Sequence, residues 1–338
     1  MATLSAATTT TSVPFSEAAC TVYPASAEIE SNLPASLAQS EAEDDAKVHS
    51  TATVAVELWP PLFSVTASDG IQLRVALGGR AGGAALLLVA GQGCDHLAWD
   101  PVSADFEAAG FRTVRWDHRG TGGSDKPEAP PYSIERFALD GIDILDALSI
   151  PRAHVYGVSM GGRVAQRLAI AWPARVGAVV IGCSTPGNAH GVRRPPDVDA
   201  QMASQPTDPE EALRLRVASQ VTPAFALANP WYIDRKRDHA CHPIPAYASK
   251  LHYAASEAHD AWAELPTITA PTLVIHGTDD PVNPTANAPL LAGRIPGAEL
   301  VLVDGGRHAF YHEFREQASA AVISFLNRHS ALVERRCC

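Results

Sequence analysis

Positive charge is in short supply in this sequence. Its 338 residues include 26 Lys and Arg against 37 Asp and Glu, which gives a formal net charge of -11. Proteins that bind nucleic acid usually carry a clustered basic face, so this acidic balance argues against a nucleic-acid partner. Because 46% of the residues are hydrophobic, the chain can still bury a large core, in one large domain or two modest ones.

Long apolar runs and paired cysteines are missing as well. No apolar run reaches the roughly 18 residues that a transmembrane helix needs, and the run Ala84–Ala90 has the length of a buried strand. Apart from a pair at the end of the chain, the six cysteines follow neither metal-ligand nor disulfide-framework spacing; they are Cys20, Cys94, Cys183, Cys241, Cys337 and Cys338. We therefore expect a protein without stable membrane insertion, in a reducing compartment such as the cytoplasm.

Both ends of the chain have the composition of unstructured segments. Residues 1–57 are rich in Ala, Ser and Thr and contain no Lys or Arg before Lys47, which predicts a disordered leader. A secretory or mitochondrial targeting segment is the alternative, but the first needs a basic start and the second needs arginines. Residues 331–338 are predicted to form a flexible tail, with lipidation of Cys337 and Cys338 as the alternative.

From Pro61 onward, short apolar runs alternate with helical patterns, which is typical of a mainly parallel sheet covered by helices. The turn at Ser68-Asp69-Gly70 predicts a hairpin, so the sheet should begin antiparallel. Eight strands are predicted, at Leu62–Thr66, Ile71–Leu77, Ala85–Val89, Thr113–Trp116, His154–Val158, Ala178–Ile181, Thr272–His276 and Leu300–Val303. Helices are predicted at Ser133–Leu148 with Ser133 as N-cap, Met160–Ala171, Asn287–Gly293 and Glu313–Asn327.

A long segment, about residues 185–265, separates the sixth and seventh predicted strands. It is rich in Pro and Ala, has a helical pattern near Pro209–Ser219, and is too long for a structureless loop in a compact domain. We predict that residues 185–265 form an inserted helical cap, and that residues 58–184 and 266–330 form the α/β core.

The sharpest chemical signal is Gly157-Val158-Ser159-Met160-Gly161, which lies between a predicted strand and a predicted helix. This is the strand-turn-helix setting of the G-x-S-x-G elbow, which holds a nucleophilic serine in a strained turn above the sheet. The glycines let strand and helix approach each other, and the N–H of Met160 should point at a developing oxyanion. A chance glycine-rich turn is the alternative interpretation.

A nucleophilic serine needs a base, and the base needs a carboxylate that holds its tautomer. The seventh predicted strand is followed by Asp279 and Asp280, and the eighth is followed by His308. Ser159, an aspartate and His308 therefore occur in the chain order of this elbow's triad, each at the carboxyl end of a strand. Asp279 and Asp280 compete for the role of the acid.

At this point the sequence resembles the α/β-hydrolase family, whose members often read H-G-x-x-D with a proline shortly after. His276, Gly277, Asp280 and Pro284 match that register, which selects Asp280 as the acid and leaves Asp279 as a turn residue. The turn motif D-x-R-G-x-G-x-S matches Asp117–Ser124, and the resemblance covers nearly the whole chain from about residue 62 to the last helix.

The resemblance also implies a second oxyanion donor in the loop after the third strand, which reads Ala90-Gly91-Gln92-Gly93 here. Family members commonly have His-Gly at the first two positions, and Ala90 departs from that pattern. A main-chain N–H does not depend on the preceding side chain, so Gln92 and Met160 are assigned as the oxyanion pair.

Within the family, a serine nucleophile disfavours the dehalogenases and epoxide hydrolases, which have Asp at the elbow. The chain is similar to the esterase and lactonase branch, including aclacinomycin methylesterase-like and 3-oxoadipate enol-lactonase-like proteins. This implies hydrolysis of a small-molecule ester or lactone through an acyl-enzyme, with neither cofactor nor metal. C–C bond hydrolases, cofactor-free haloperoxidases and receptors that keep the triad for ligand perception remain as alternatives.

The predicted cap offers four side chains for a substrate pocket, although such residues equally form the core of a cap; they are Trp231, Tyr232, His252 and Tyr253. The mixed charge run 234–238 is predicted to be a solvated face, with attraction of an anionic substrate as the alternative.

Structural roles are predicted for five other polar residues. Arg119 and Asp117 should tie loops together, with contact between Arg119 and an anion as the alternative. Asp140 is expected to be a cap or surface charge, and His154 and His276 are expected to be structural histidines with satisfied hydrogen bonds.

Overall fold

A computed structural model describes residues 62–100, 102–129, 131–203, 208–241 and 244–333. Its sheet has eight strands: β1 Leu62–Thr66, β2 Gln72–Gly78, β3 Ala85–Val89, β4 Arg112–Trp116, β5 Ala153–Val158, β6 Val176–Gly182, β7 Thr272–Gly277 and β8 Glu299–Val303. All eight predicted strands are confirmed, with bounds that differ by at most two residues. The predicted leader, residues 1–57, lies outside the described residues, as does most of the predicted tail.

The order of the strands creates a crevice at one edge of the sheet. The order is β1-β2-β4-β3-β5-β6-β7-β8. Strand β2 is antiparallel to both of its neighbours, and the six strands β3 to β8 are parallel to one another. The chain leaves β3 toward β4 on one side and returns to β5 on the other. The carboxyl ends of β3 and β5 therefore flank a topological switch point, which is where ligands bind in open α/β sheets.

Eleven α-helices occur in the described residues: α1 Ser103–Ala108, α2 Ile134–Ala147, α3 Met160–Ala171, α4 Pro196–Ala203, α5 Pro209–Gln220, α6 Pro223–Ala228, α7 Pro230–Cys241, α8 Ala246–Glu257, α9 Asn287–Arg294, α10 Phe310–Glu313 and α11 Arg315–Asn327. Ser133 caps α2 by accepting a hydrogen bond from the N–H of Arg136, as predicted. Helices α4 to α8 all fall within residues 185–265. No helix in the described residues is long and apolar enough to span a bilayer.

The last predicted helix, Glu313–Asn327, is confirmed as α11 Arg315–Asn327, which begins two residues later. A separate short helix, α10, precedes it, and Phe314 lies between the two at φ -102° and ψ 40°. The break lets α10 bury Phe310 and Tyr311 while α11 buries a separate apolar face that includes Val322. Helical periodicity does not reveal the break at Phe314, because the residues before it and after it both have a helical pattern.

An ion-pair network ties the β1–β2 turn to α2. The Arg119 guanidinium is fully buried and donates to Asp140 at 2.7 and 2.9 Å and to Asp69 at 2.8 and 3.2 Å. Arg119 therefore joins loops, as predicted. The prediction for Asp140 is wrong, because its carboxylate is fully buried between Arg119 and Arg136. A buried carboxylate is tolerated here because two guanidinium groups compensate its charge.

His154 differs from the satisfied histidine that the sequence predicts. Its ring is fully buried at the start of β5, beside Phe111, and neither ring nitrogen has a hydrogen-bond partner among the described residues. Burial lowers its pKa to about 4, because the apolar surroundings disfavour the imidazolium form.

Acid is expected to destabilise the fold through His154. In the unfolded chain His154 binds a proton near its ordinary pKa of 6.5, whereas in the folded chain its pKa is about 4. The free energy of unfolding therefore falls as the pH drops from 6.5 to about 4. We expect a loss of about 3 kcal/mol in the free energy of unfolding between pH 7 and pH 4 from this group. Urea denaturation at stepped pH measures it.

The matched variants separate His154 from the other histidines. His154→Phe should flatten that part of the pH dependence, since a phenyl ring fills the site and binds no proton. Replacing the exposed His190 by Gln should leave the slope as in the parent protein. Equal slopes in the parent and in His154→Phe would contradict the assignment.

Candidate active site

Ser159 lies at the switch point, directly after β5 and directly before α3. Its backbone has φ 58° and ψ -121°, a region that non-glycine residues rarely adopt. The N–H of Ser159 donates to Gly182 O at 2.9 Å, and the Ser184 hydroxyl donates to Ser159 O at 2.8 Å. These two hydrogen bonds to β6 and its following loop hold the strained turn in place.

The two glycines of the elbow are required by close packing. A Cβ atom on Gly157 would overlap the carbonyl oxygen of Gly161, and a Cβ on Gly161 would overlap that of Val89 in β3. Strand β5, helix α3 and strand β3 therefore meet with no room for a side chain. The elbow predicted from the sequence is confirmed as a structural feature.

Asp280 and His308 are brought together from the ends of β7 and β8. Asp280 Oδ2 lies 2.8 Å from His308 Nδ1, and both side chains are buried. Asp280 Oδ1 accepts the backbone N–H groups of Val282 at 2.8 Å and Asn283 at 3.0 Å. Burial by itself raises the pKa of Asp280, but the adjacent His308 and His276 rings outweigh it and hold this pKa below its usual range.

The ionised Asp280 sets the tautomer of His308. A carboxylate only accepts hydrogen bonds, so Nδ1 carries the proton and Nε2 keeps a lone pair. That lone pair is what a general base requires. Within the described residues, Ser159 Oγ and His308 form no hydrogen bond with each other, a separation that is common in unliganded active sites.

Asp279 occupies a different environment from its neighbour. Its side chain is exposed, its N–H donates to Gly306 O at 2.9 Å, and its carboxylate accepts the Thr278 hydroxyl at 3.2 Å. The structure therefore pairs Asp280 with His308 and leaves Asp279 in the turn, the arrangement that the H-G-x-x-D register implies.

His276 is a part of the site that the sequence interpretation missed. Its Nε2 lies 2.8 Å from Asn283 O and 3.2 Å from Asp280 Oδ2. Because a carbonyl oxygen only accepts, Nε2 carries a proton that Asp280 shares. His276 was assigned a structural role from its place at the strand end, although the same register that selected Asp280 contains it.

Cys183 lies behind the pair, at the end of β6. Its sulfur and one ligand atom each from Asp280 and His308 lie within 4.8 Å of one another, the one grouping of metal-ligand type among the described residues. Burial raises the pKa of the Cys183 thiol well above its ordinary value. A protonated thiol is a poor nucleophile.

The two predicted oxyanion donors flank Ser159. The N–H of Met160 belongs to the first residue of α3 and the N–H of Gln92 follows β3; neither has a hydrogen-bond acceptor among the described residues. Gly91 packs against Ser159, since a Cβ built on it would lie 3.4 Å from Ser159 Cβ. The two predicted donors therefore belong to residues next to Ser159 in the chain and next to Gly91, which packs against Ser159.

The four residues predicted to line a pocket have different surroundings. His252 is buried, with Nε2 2.8 Å from Arg119 O and Nδ1 accepting the N–H of Gly93 at 3.4 Å. Tyr232 is buried against Phe225 and His312. Trp231 is 43% exposed and donates to Asn229 at 3.0 Å, and Tyr253 has Glu257, Asp199 and Arg194 as electrostatic neighbours.

Comparison with known proteins places this geometry among hydrolases. Residues 82–315, more than half of the chain, match the family described as serine aminopeptidase, S33 (Hydrolase_4). RutD of Variovorax paradoxus, a protein named for carbamate hydrolysis, is 33% identical over 269 residues, which are 77% of this chain and 97% of RutD. The rhodomycin D methylesterase DauP of a Streptomyces species is 30% identical over 275 residues, 71% of this chain and 89% of DauP. The crystal structure of the enol-lactonase from Burkholderia xenovorans superposes with a TM-score of 0.68 at 28% identity, covering 79% of this chain and 100% of that one.

Proposed function

Because this chain belongs to the Hydrolase_4 family and to the esterase and lactonase branch of the α/β-hydrolases, we propose that it is a serine hydrolase that cleaves a small-molecule carboxylic ester or lactone. Ser159 is the nucleophile of the proposal, His308 the base and Asp280 the acid. The observation that supports it most is the 2.8 Å contact between Asp280 and His308 at the same edge of the sheet as the strained Ser159.

In the proposed reaction, His308 Nε2 takes the proton of Ser159 as its oxygen attacks the carbonyl carbon. The N–H groups of Gln92 and Met160 stabilise the tetrahedral oxyanion, and Asp280 stabilises the imidazolium. His308 then gives its proton to the departing alkoxide, which leaves as the alcohol. Water attacks the acyl-enzyme with His308 again as base, releasing the acid and restoring Ser159.

The relatives support esters and lactones as the substrate class and add a second candidate. A methylesterase and an enol-lactonase both release an oxygen leaving group from an acyl carbon. RutD is similar over most of this chain and is named for carbamate hydrolysis, so a carbamate is the alternative substrate. The same serine chemistry acts on a carbamate carbonyl, and specificity has to come from the surrounding pocket.

A fluorophosphonate probe and a substrate panel test the proposal. We expect the purified protein to be labelled covalently at Ser159, because the probe reacts with activated serines. Turnover should be higher for p-nitrophenyl esters and lactones than for matched carbamates or amino-acid p-nitroanilides. Absence of both labelling and ester turnover would contradict the serine hydrolase, and a carbamate preference would favour the second candidate.

A further inference from the structure

Helix α7 carries three consecutive cations, and the middle one has no ion pair within the part of the chain that the structure describes. Arg235 lies 3.1 Å from Asp100, and Arg237 lies 3.1 Å from Asp234. Lys236 is partly buried, and its Nζ has no ion pair or hydrogen bond among the described residues. The solvated face predicted for this charge run is therefore wrong for Lys236, because the helix turns this side chain inward.

The surroundings of Lys236 contain groups of both charges. Its Nζ lies 5.3 Å from the ring centroid of Tyr232, and its electrostatic neighbours are Cys94, Arg216, Arg235 and Asp95. Burial raises the pKa of the Cys94 thiol, so that group stays neutral. Burial also lowers the pKa of Lys236 itself, a shift that an anion bound beside it would oppose.

Unpaired polar atoms surround the same place. Trp99 packs against Tyr156, and Tyr232 packs against His312; the Tyr311 ring contacts both Trp99 and His312. Four of these rings each bury a polar atom that has no hydrogen-bond partner among the described residues: Trp99 Nε1, Tyr156 Oη, Tyr232 Oη and His312 Nδ1. Buried polar groups are normally hydrogen-bonded, and each unpaired one costs about 1–3 kcal/mol. A ligand or buried water is needed to complete these hydrogen bonds.

A short turn connects this place to Ser159. Gly91 packs against Ser159, and the N–H of Cys94 donates to Gly91 O at 3.2 Å. A turn of this kind keeps its end Cα atoms within about 7 Å of each other. The Cys94 thiol is an electrostatic neighbour of Lys236, so this turn connects Ser159 with the surroundings of the unpaired cation.

We propose that Lys236 and the Tyr232 hydroxyl form a subsite for a carboxylate, and that the preferred substrates are esters or lactones whose acyl chain ends in a carboxylate. The inference rests on the proposed function and names its substrate class. One ammonium beside a hydroxyl and a thiol, with the Asp95 carboxylate and the Arg216 and Arg235 guanidinium groups as electrostatic neighbours, matches a singly charged carboxylate. A phosphate would be better served by guanidinium forks or a helix N-terminus.

The test compares an anionic ester with a neutral one of similar length, mono-p-nitrophenyl glutarate and p-nitrophenyl valerate. The quantity of interest is the ratio of their kcat/KM values. We expect the parent protein to favour the glutarate ester and Lys236→Met to lower the ratio roughly 10- to 100-fold, the size of a charge-assisted contact. Arg237→Met, which removes the neighbouring paired cation, should leave the ratio unchanged.

A second measurement uses only the parent protein and covers a variant that fails to fold. Glutarate should inhibit hydrolysis of the neutral ester at lower concentration than glutaramide, which has the same length without charge. A parent ratio at or below one, a ratio unaffected by Lys236→Met, or equal inhibition by both compounds overturns the subsite. Absence of fluorophosphonate labelling and of turnover of both esters overturns the proposed function instead.

Discussion

Replacing Ser159 with alanine is expected to lower kcat for ester hydrolysis by about 10⁴- to 10⁶-fold and to abolish fluorophosphonate labelling. The physical reason is that no other described group near His308 can form the acyl bond. Cys183 is buried and its raised pKa keeps it a neutral thiol. Residual hydrolysis above the rate in water would come from the oxyanion donors alone. Steady-state kinetics with p-nitrophenyl acetate and intact-mass spectra of probe-treated protein measure both effects.

The control for this variant is another serine, half-buried and distant in sequence. Ser330→Ala lies past α11, away from the sheet edge that carries the site, and should retain the parent kcat. The methyl group of alanine fits where the Ser159 Cβ already fits, so Ser159→Ala should unfold at the same urea concentration as the parent. Retention of more than a tenth of the activity in folded Ser159→Ala would rule out Ser159 as the nucleophile.

Asp280→Asn is expected to lower kcat by about 10⁴-fold, the size of effect seen when a triad carboxylate becomes an amide. The N–H groups of Val282 and Asn283 would retain the amide oxygen, which turns the NH₂ group toward His308. His308 Nδ1 must then accept, so Nε2 carries the proton and cannot take one from Ser159. Activity should recover partly at high pH, which a pH profile of kcat measures.

Asp279→Asn is the matched control, since it makes the same chemical change one residue earlier. Its side chain is exposed and hydrogen-bonded to Thr278, so we expect a change of no more than a few-fold. The reverse ranking of the two variants would assign the acid to Asp279. A similar loss in both variants would indicate disruption of the β7 turn as a whole.

Much of the fold follows from local patterns. The strands are short apolar runs bounded by turn residues. Their predicted positions agree with the structure to within two residues, because such a run is visible in the local sequence without knowledge of the neighbouring strand. The short helices α1, α6 and α10 are absent from the sequence prediction, since four to six residues hold too little periodicity to detect. The break at Phe314 depends on how two helical segments pack against the sheet, which no local pattern records.

The candidate site divides in the same way. The sequence predicts the nucleophilic elbow, the two possible acids and His308, because all of them directly follow a strand. Parallel strands bring their carboxyl ends to one edge of the sheet, so residues at these positions lie close together. Side chains that meet across long sequence separations carry no such signal. His252 on Gly93 and Arg119 on Asp69 are contacts of this kind.

The sequence by itself therefore determined the order of strands along the chain, the elbow around Ser159 and the set of residues from which a triad could be assembled, because these depend on local spacing and backbone preference. The register had already favoured Asp280 over Asp279, and tertiary structure supplied the geometry, in which Asp280 lies 2.8 Å from His308. It also decided which charges are buried, turning Asp140 and Lys236 inward. Burial and charge compensation depend on neighbours distant in sequence, and only the packed chain brings those neighbours together.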